Sequence, residues 1–514
     1  MPEGRFLLPH EVVKSEDDVE HQVDTVLERA RWAAGEFATL DRARTLAIAK
    51  AVAEAGASRA AHYGEWAVRE TGFGVAEHKA IKNEITTTGF YAHYKDRDFV
   101  GKRVRAKDKI VEVARPAGVV FALVPSTNPI STVNFKIMSA LMTRNAIVIS
   151  PHPAAKECSI DAIDFLSDAA CRAGAPDGAI QVVRQPTLPV IDCMMRSEKV
   201  DVILATGGTA MVRAAYSSGN PAIGVGPGNA PAFVDSSADL AQAAKRIIDS
   251  KSFDNSILCT NESVVVAEQA IADELLRHMA RAGAYLCSEA ERDRLRAYLF
   301  SDKGFNIEAL GKPATQIAQK VGISVPGATR VLLAPIDRVQ RDEPLAREKL
   351  CPVLGFFRAS DRAHGIAVSH TLLRVVGGGH SAAIHSHDSP TILAFGASVR
   401  ALRVVVNSPC SQGAAGFGTN LPPTFTIGTG YFGRSSVGDN VGPEHLINWT
   451  RIAYNADPEE AFGDFTGLEP WTQSEQRPTP ATSPSEAPAG AEILDMHDEI
   501  RRIVLEELRE MLSS

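Results

Sequence analysis

The chain of 514 residues is 45% apolar and 23% charged, which is typical of an α/β protein with about two to four domains. Its 54 basic and 62 acidic residues give a net charge of −8 without a basic patch, which argues against nucleic acid as a partner. The N-terminus lacks a signal-peptide stretch, the longest apolar run (119–124) is too short to cross a membrane, and the seven cysteines show no CxxC spacing. These features predict a cytoplasmic protein without a membrane anchor or a disulfide framework.

The first predicted elements are helices followed by a pair of exposed strands. Residues 16–98 carry apolar stripes at helical spacing, such as Val23, Leu27 and Ala30. Residues 101–116 alternate between charged and apolar side chains, which predicts a two-stranded arm.

From residue 117 onward, predicted strands and helices alternate. This rhythm indicates βαβ units and a doubly wound parallel sheet. The first four predicted strands cover 119–124, 146–150, 180–183 and 202–205.

A second α/β rhythm begins near residue 235 and continues to about 406. We therefore assign a cofactor-binding domain to residues 1–234, including the arm, and a catalytic domain to residues 235–430. Residues 431–465 are predicted to form an oligomerisation and closing segment.

The end of the chain differs in composition. Residues 466–490 are rich in Pro, Ser and Ala, which predicts a disordered linker. Residues 491–514 predict an amphipathic helix, because apolar side chains recur every three or four positions. A tethered helix with such a stripe requires a partner. The stripe consists of Ile493, Met496, Ile500, Val504, Leu508 and Met511.

Three glycine-rich segments differ in what they predict. Gly207 and Gly208 follow an apolar strand and open a helix, so their amides could face a pyrophosphate, although an ordinary turn is an equal explanation. Residues 224–229 suggest a backbone that passes close to a ligand. Residues 428–433 match GxGxxG, but no strand–helix–strand unit follows them, and we reject them as a dinucleotide site.

Four residues are candidates for chemistry. Cys259 is flanked by small polar residues, and Asn128 lies in a turn whose amide could hold an oxyanion. Glu348 precedes an apolar run and could accept hydrogen bonds from a ribose, although such a residue is usually a solvated surface charge. His380 lies in a Gly-rich turn and could carry a proton near neutral pH, or serve the structure alone.

Taken together, these motifs resemble the aldehyde dehydrogenase superfamily. The resemblance is closer to its CoA-acylating branch, which includes the aldehyde half of aldehyde–alcohol dehydrogenase and microcompartment enzymes of ethanolamine and propanediol breakdown. It runs from about residue 16 to 455 and implies an α/β fold with a Rossmann-like cofactor domain and an α/β catalytic domain. The segments that carry it are 124–129, 143–153, 205–209, 224–231, 253–255, Cys259, Glu348 with 352–353, 379–381 and 440–448.

The resemblance implies roles for individual residues. Cys259 corresponds to the nucleophile, Asn128 to the oxyanion donor beside the Cys259 amide, and Glu348 to a ligand of the nicotinamide ribose. Ser150 and His152 replace a lysine that hydrolytic relatives use to hold the adenosine ribose, which leaves NAD or NADP open as the cofactor. The implied cofactor-binding set is Thr127, Ser150, His152, Gly207, Gly208, Gly226 and Glu348.

One departure separates the chain from hydrolytic relatives, which place a water-activating glutamate where this chain has Val225. Valine cannot abstract a proton, so the resemblance implies that CoA removes the acyl group from Cys259, with His380 as a candidate to assist this step. The implied substrate is a short-chain aldehyde of the acetaldehyde or propionaldehyde class. A hydrolytic enzyme, an anionic substrate such as sulfoacetaldehyde, and a catalytically inactive scaffold are the alternatives.

The tail resembles encapsulation peptides, which direct enzymes into bacterial microcompartments by docking on shell or cargo proteins. A coiled-coil or oligomer-stabilising helix is the alternative. The strands near 101–115 and 440–455 resemble dimerising arms of the family, which implies a homo-oligomer.

Overall fold

The computed structural model describes residues 16–302 and 304–471. Its N-terminal part is helical, as predicted, and the stripe of Val23, Leu27 and Ala30 is buried. A π-helical turn at Ile85–Gly89 joins α4 to α5. The helices are α1 (Glu16–Phe37), α2 (Arg42–Ser58), α3 (Ala60–Thr71), α4 (Ala76–Glu84) and α5 (Phe90–Tyr94).

A five-stranded parallel sheet follows, and it confirms the predicted βαβ rhythm. Its strands are β3 (Val119–Leu123), β4 (Ala146–Ser150), β5 (Ile180–Val182), β6 (Val202–Thr206) and β7 (Ala222–Val225). The helices that connect them are α6 (Pro129–Met142), α7 (Lys156–Arg172), α8 (Leu188–Arg196) and α9 (Thr209–Tyr216). The order is β5-β4-β3-β6-β7, so the chain adds β4 and β5 on one side of β3 and then returns to add β6 and β7 on the other side. Such a switch point opens a crevice at the carboxyl ends of the strands.

The second sheet has seven parallel strands in the order β10-β13-β14-β9-β8-β15-β16. They are β8 (Ala230–Val234), β9 (Glu262–Glu268), β10 (Ala284–Leu286), β13 (Val331–Pro335), β14 (Val353–Ala359), β15 (Gly379–His385) and β16 (Ala401–Val406). Helices pack around it: α10 (Leu240–Ser252), α11 (Gln269–Arg281), α12 (Glu289–Leu299), α13 (Ala314–Lys320), α14 (Arg362–Val375), α15 (Ser389–Ser398) and α16 (Cys410–Gly413). Because β8 belongs here, the change of sheet falls before residue 230 and not at the predicted boundary of 234.

Two small antiparallel sheets complete the described elements. The predicted arm forms β1 (Lys102–Arg105) and β2 (Ile110–Pro116), and β17 (Ile447–Ala453) pairs with β2. A short hairpin joins β11 (Phe300–Ser301) to β12 (Gly304–Phe305).

The linker was predicted to start at residue 466, but the described residues up to Trp471 are anchored to the segment around Val100 and Lys102. The Trp471 indole N–H donates to the Val100 carbonyl at 2.7 Å, and Lys102 contacts the Leu468 carbonyl. The remainder of the predicted linker and the predicted helix at 491–514 lie outside the described residues. In the described part of the chain, no helix combines the length and apolar character needed to span a membrane.

Candidate active site

A cavity of about 570 Å³ opens at the switch point of the five-stranded sheet. Leu123 at the end of β3 is in register with Ser150 of β4 and Ala205 of β6, and Thr206 is in register with Val225 of β7. The carboxyl ends of these strands therefore form one wall. Nine of the ten predicted site residues line the cavity: Thr127, Asn128, Ser150, His152, Gly207, Gly208, Gly226, Cys259 and Glu348.

Cys259 reaches this cavity through a strained turn. The helix α10 ends at Ser252, and Asp254, Asn255 and Ser256 then have φ angles of 49°, 50° and 64°. Each such residue costs on the order of 1–3 kcal/mol and persists only where its surroundings hold it. Here Asn255 donates to the Gly311 carbonyl at 3.0 Å, and Ser256 donates to Asn261 at 2.6 Å. The turn places Cys259 three residues before β9.

The surroundings of Cys259 disfavour its thiolate in the free protein. Burial raises the pKa of the thiol to about 12, and the charge of Glu348 adds to the rise, whereas Arg403 opposes it. Burial also raises the pKa of Glu348 to about 7, although the Gly228 N–H and the charges of Lys251 and Lys349 oppose the rise. The thiol is therefore protonated at neutral pH, and a nucleophilic role requires a base to take its proton.

Glu348 is held against the segment that joins the two sheets. The Gly228 N–H donates to Glu348 Oε1 at 3.0 Å. A Cβ atom on Gly228 would lie 1.9 Å from the Cys259 carbonyl oxygen. Glycine at 228 is thus required for the close approach of Cys259 and Glu348.

Gly228→Ala is expected to lower both activity and thermal stability, because the added methyl must displace the Cys259 backbone. Overpacking of this kind costs about 1–3 kcal/mol, and displacement of a reactive group adds a loss of activity. Calorimetry and initial rates measure the two effects. Gly226→Ala is the stability control, since its methyl would meet no atom within 4 Å. Equal melting temperatures for both variants would contradict the clash.

Glu348→Gln is expected to make Cys259 more reactive toward iodoacetamide, because it removes one cause of the raised thiol pKa. The carboxylate is charged above pH about 7 and neutral below it, so the difference should widen as the pH rises from 6 to 9. We expect alkylation at pH 9 to be roughly 3- to 10-fold faster in the variant. Mass spectrometry of the Cys259 peptide measures the rate. Identical rates at pH 9 would show that Glu348 does not act on the thiol.

Asn128 caps the N-terminal end of α6. Its backbone carbonyl accepts the Thr132 N–H at 3.1 Å, and Pro129 occupies the first helical position. Its side-chain carbonyl accepts a hydrogen bond from Lys82 Nζ at 2.5 Å, while its amide nitrogen lies 3.3 Å from Thr127 Oγ1. The N–H donors of this amide are therefore directed away from Lys82.

The remaining wall has open polar groups that fit a dinucleotide. The buried Ser150 hydroxyl at the end of β4 has no hydrogen-bond partner among the described residues. Gly208 caps α9 without a side-chain hydrogen bond, and a Cβ atom there would meet nothing within 4 Å. Free amides at a helix N-terminus suit a pyrophosphate, and an unpartnered hydroxyl suits a ribose. His152 accepts the Ala154 N–H at 3.1 Å, which turns its ring nitrogen Nδ1 toward its own chain.

His380 is not among the residues that line the cavity. It is fully buried in β15, its Nδ1 lies 3.1 Å from Ser381 Oγ, and its Nε2 has no partner among the described residues. Burial, with the charge of Arg403, lowers its pKa to about 3, so the ring is neutral at physiological pH. The predicted proton carrier is therefore enclosed in this structure, and its part in the CoA step stays a prediction.

The rejected GxGxxG match forms a loop with a short turn at Tyr431–Gly433, without a following strand–helix unit. Arg403, which sequence reasoning missed, holds this loop beside the cavity: it donates to the Gly379 carbonyl at 2.6 Å and contacts the Gly428 carbonyl.

Within 16–302 and 304–471, no group of three or more His, Cys, Asp or Glu residues could hold a metal ion.

Comparison with known proteins defines the class. Residues 9–452 match the aldehyde dehydrogenase family, and the chain belongs to that family. It is 36% identical over 444 residues to the bifunctional aldehyde-alcohol dehydrogenase AdhE of Escherichia coli, covering 85% of this chain and 50% of that protein. The chain thus spans about half the length of the curated aldehyde–alcohol dehydrogenases it matches.

Solved structures narrow the comparison to acylating members. An acetylating aldehyde dehydrogenase of Geobacillus thermoglucosidasius superposes with a TM-score of 0.85 at 35% identity, over 88% of this chain and 100% of that one. A propionaldehyde dehydrogenase from a fucose-utilisation microcompartment of Clostridium phytofermentans gives 0.77 at 29%, over 84% and 97%. One from Rhodopseudomonas palustris, with bound CoA and an acylated cysteine, gives 0.76 at 26%, over 84% and 97%. The predicted fold and the resemblance to the acylating branch are confirmed.

Proposed function

We propose that this chain oxidises a short-chain, uncharged aldehyde to its acyl-CoA, with NAD or NADP and CoA as co-substrates, through a thioester on Cys259. The observation that carries the proposal is a single cavity that brings together the Cys259 thiol, the Asn128 amide and Val225. The thiol supplies a nucleophile, the amide supplies an oxyanion donor, and the valine offers no base to activate water. Acylating structural relatives, one of them with an acylated cysteine, support the same chemistry.

The residues of the chain divide the reaction between them. The Cys259 sulfur forms a bond to the carbonyl carbon, while the carbonyl π pair moves to oxygen and is stabilised by the Asn128 N–H. The thiol proton is released to solvent as this bond forms, because Glu348, the one carboxylate among the cavity-lining residues, is kept as the candidate ligand of the nicotinamide ribose. A nicotinamide held along the five-stranded sheet would supply the hydride acceptor that converts the adduct to a thioester. The CoA sulfur then bonds to the acyl carbon as the bond to the Cys259 sulfur breaks, and the proton of the CoA thiol goes to Cys259.

The dinucleotide is assigned to the wall formed by the five-stranded sheet. Ser150, with its unpartnered hydroxyl, would hold the adenosine ribose, and the amides after Gly207 and Gly208 would hold the pyrophosphate. Thr127, His152 and Gly226 would line the remainder of the binding groove. Glu348 stays the candidate ligand of the nicotinamide ribose.

The requirement for CoA tests the acylating reaction against the hydrolytic alternative. We expect NADH formation to stop after about one equivalent per site without CoA and to continue only when CoA is added. Stopped-flow absorbance measures the burst, and chromatography distinguishes acyl-CoA from free acid. Sustained turnover to free acid without CoA would establish the hydrolytic enzyme instead. Absence of NADH under all conditions would favour the inactive scaffold.

The charge of the cavity favours an uncharged aldehyde over an anionic one. No lysine or arginine stands among the described residues that line it, and its one carboxylate is Glu348. Away from the helix amides assigned to the pyrophosphate, a sulfonate or carboxylate near Cys259 would lose its hydration without gaining a cation. A kinetic panel should therefore rank acetaldehyde, propionaldehyde and butyraldehyde above sulfoacetaldehyde in kcat/KM. The reverse order would place the substrate among anionic aldehydes.

We further propose that the enzyme is a homo-oligomer packed in a bacterial microcompartment. The exposed apolar side chains of Val104 and Ile452 on the three-stranded sheet favour a contact between subunits.

The microcompartment origin of a structural relative and the apolar stripe at 491–514 favour encapsulation. Removing residues 491–514 should leave the oligomer and its activity intact but abolish co-purification with shells. Unchanged co-purification would favour another role for the tail.

A further inference from the structure

The amide of Asn128 is held from behind by a buried lysine that the proposed mechanism does not use. Lys82 lies on α4, and its ammonium is enclosed, with 1% of the side chain exposed. It donates to Asn128 Oδ1 at 2.5 Å. An ammonium has three donors and no acceptor, so it can bond only the oxygen of the amide. Lys82 therefore binds the oxygen of the Asn128 amide and leaves the NH2 group pointing away from Lys82.

Lys82 is itself fixed by the strained turn that precedes Cys259. Its ammonium contacts the carboxylate of Asp254, which is fully buried and also accepts the Val75 N–H at 2.6 Å. A second buried lysine, Lys79, lies 3.2 Å from the same carboxylate. The turn that carries the thiol and the helix cap that carries the amide are thus joined through one ion-paired cluster.

We propose that Lys82, anchored by Asp254, is a positioning residue that keeps the N–H donors of Asn128 directed at the reacting carbonyl oxygen. The inference rests on the proposed roles of Asn128 and Cys259. A reversed amide would present its oxygen to the developing oxyanion and repel it, so both orientation and donor strength matter. The ammonium also polarises the amide, which strengthens its N–H groups as donors.

Lys79 provides a matched control on the same helix. It has the same charge, is also buried and also binds Asp254, but its other hydrogen bond goes to the Thr127 backbone carbonyl at 3.1 Å. Loss of Lys79 removes a positive charge from the cluster and leaves the Lys82–Asn128 bond in place. A comparison of the two lysines thus separates amide orientation from general charge.

The test is a double-mutant cycle that joins Lys82→Met with Asn128→Ala. We expect Lys82→Met to lower kcat about 10- to 100-fold while the KM for NAD changes less than about twofold. In the Asn128→Ala background the same change should cost less than about threefold, because no amide remains to be oriented. Lys79→Met should lose at least about tenfold less than Lys82→Met. Lys82→Gln, whose side-chain NH2 group can still donate to Asn128 Oδ1, should recover part of the loss.

Each result has a distinct meaning. An equal loss from Lys82→Met in both backgrounds, or equal losses from the two lysine variants, would overturn the positioning role. If Lys82→Met does not fold, the cycle is run with Lys82→Gln, and a loss that is the same with and without the Asn128 side chain overturns the proposal. Full activity of Asn128→Ala alone would instead refute the proposed oxyanion donor, whatever Lys82 does.

Discussion

Cys259→Ser is expected to abolish acyl-CoA formation, with a loss of at least about 10⁴-fold in kcat. A serine hydroxyl is far less acidic than a thiol, and the cavity already raises the pKa of the group at this position by burial and by the charge of Glu348. No thioester can form, so both the burst of NADH and the transfer to CoA should disappear. Stopped-flow absorbance and intact-mass spectrometry after addition of aldehyde and NAD measure the two events.

Cys193→Ser is the matched control for the nucleophile. Cys193 is also a partly exposed free thiol, but it lies on α8 outside the cavity lining. This variant should keep its activity and its acylated species. An acyl adduct that persists in Cys259→Ser, or maps to another residue, would remove the basis of the proposed mechanism.

The fold was largely predictable because alternating strands and helices leave strong periodic signals. The first four strands of the five-stranded sheet, the helical N-terminal region and the two-stranded arm follow directly from these patterns, whereas β7 (Ala222–Val225) was not predicted. The assignment of Ala230–Val234 was not predictable in the same way. This strand follows Val225 after only four residues, and its apolar sequence suits either sheet, so only its pairing with β9 and β15 shows where it belongs.

The candidate site was predictable where residues lie at strand ends and glycine-rich turns. Ser150 and Gly207 lie at such positions, whereas the family resemblance implied the placement of Asn128 and Cys259, and all four line one cavity. The buried ion-paired cluster of Lys79, Lys82 and Asp254 was not predictable from the sequence pattern. A lysine within a polar helix, such as Lys82, normally faces solvent. Lys82 is buried because α4 packs within the fold, against α6 and the turn before Cys259 among other elements. The one available signal was the Asp254–Asn255 pair, since both residue types tolerate the left-handed backbone found there.

Asn128→Ala is expected to lower kcat about 100- to 1000-fold, which is severe but less complete than the loss of the thiol. In the proposed mechanism the side chain donates to an oxyanion that forms twice, first from the aldehyde and again when CoA attacks the thioester. Single-turnover hydride transfer and acyl transfer to CoA should therefore both slow, whereas the KM for NAD should change little, because the bond is made mainly in the transition state.

Asn220→Ala is the structural control for this variant. The Asn220 side chain donates to the Met195 and Ser197 carbonyls, at 2.9 and 2.8 Å, and does not line the cavity. Its loss should lower the melting temperature and leave both half-reactions intact. If Asn128→Ala slowed hydride transfer alone, the acyl-transfer oxyanion would have to be held by another donor, such as the Cys259 backbone N–H. If it slowed neither, the amide that Lys82 holds would have only a structural role.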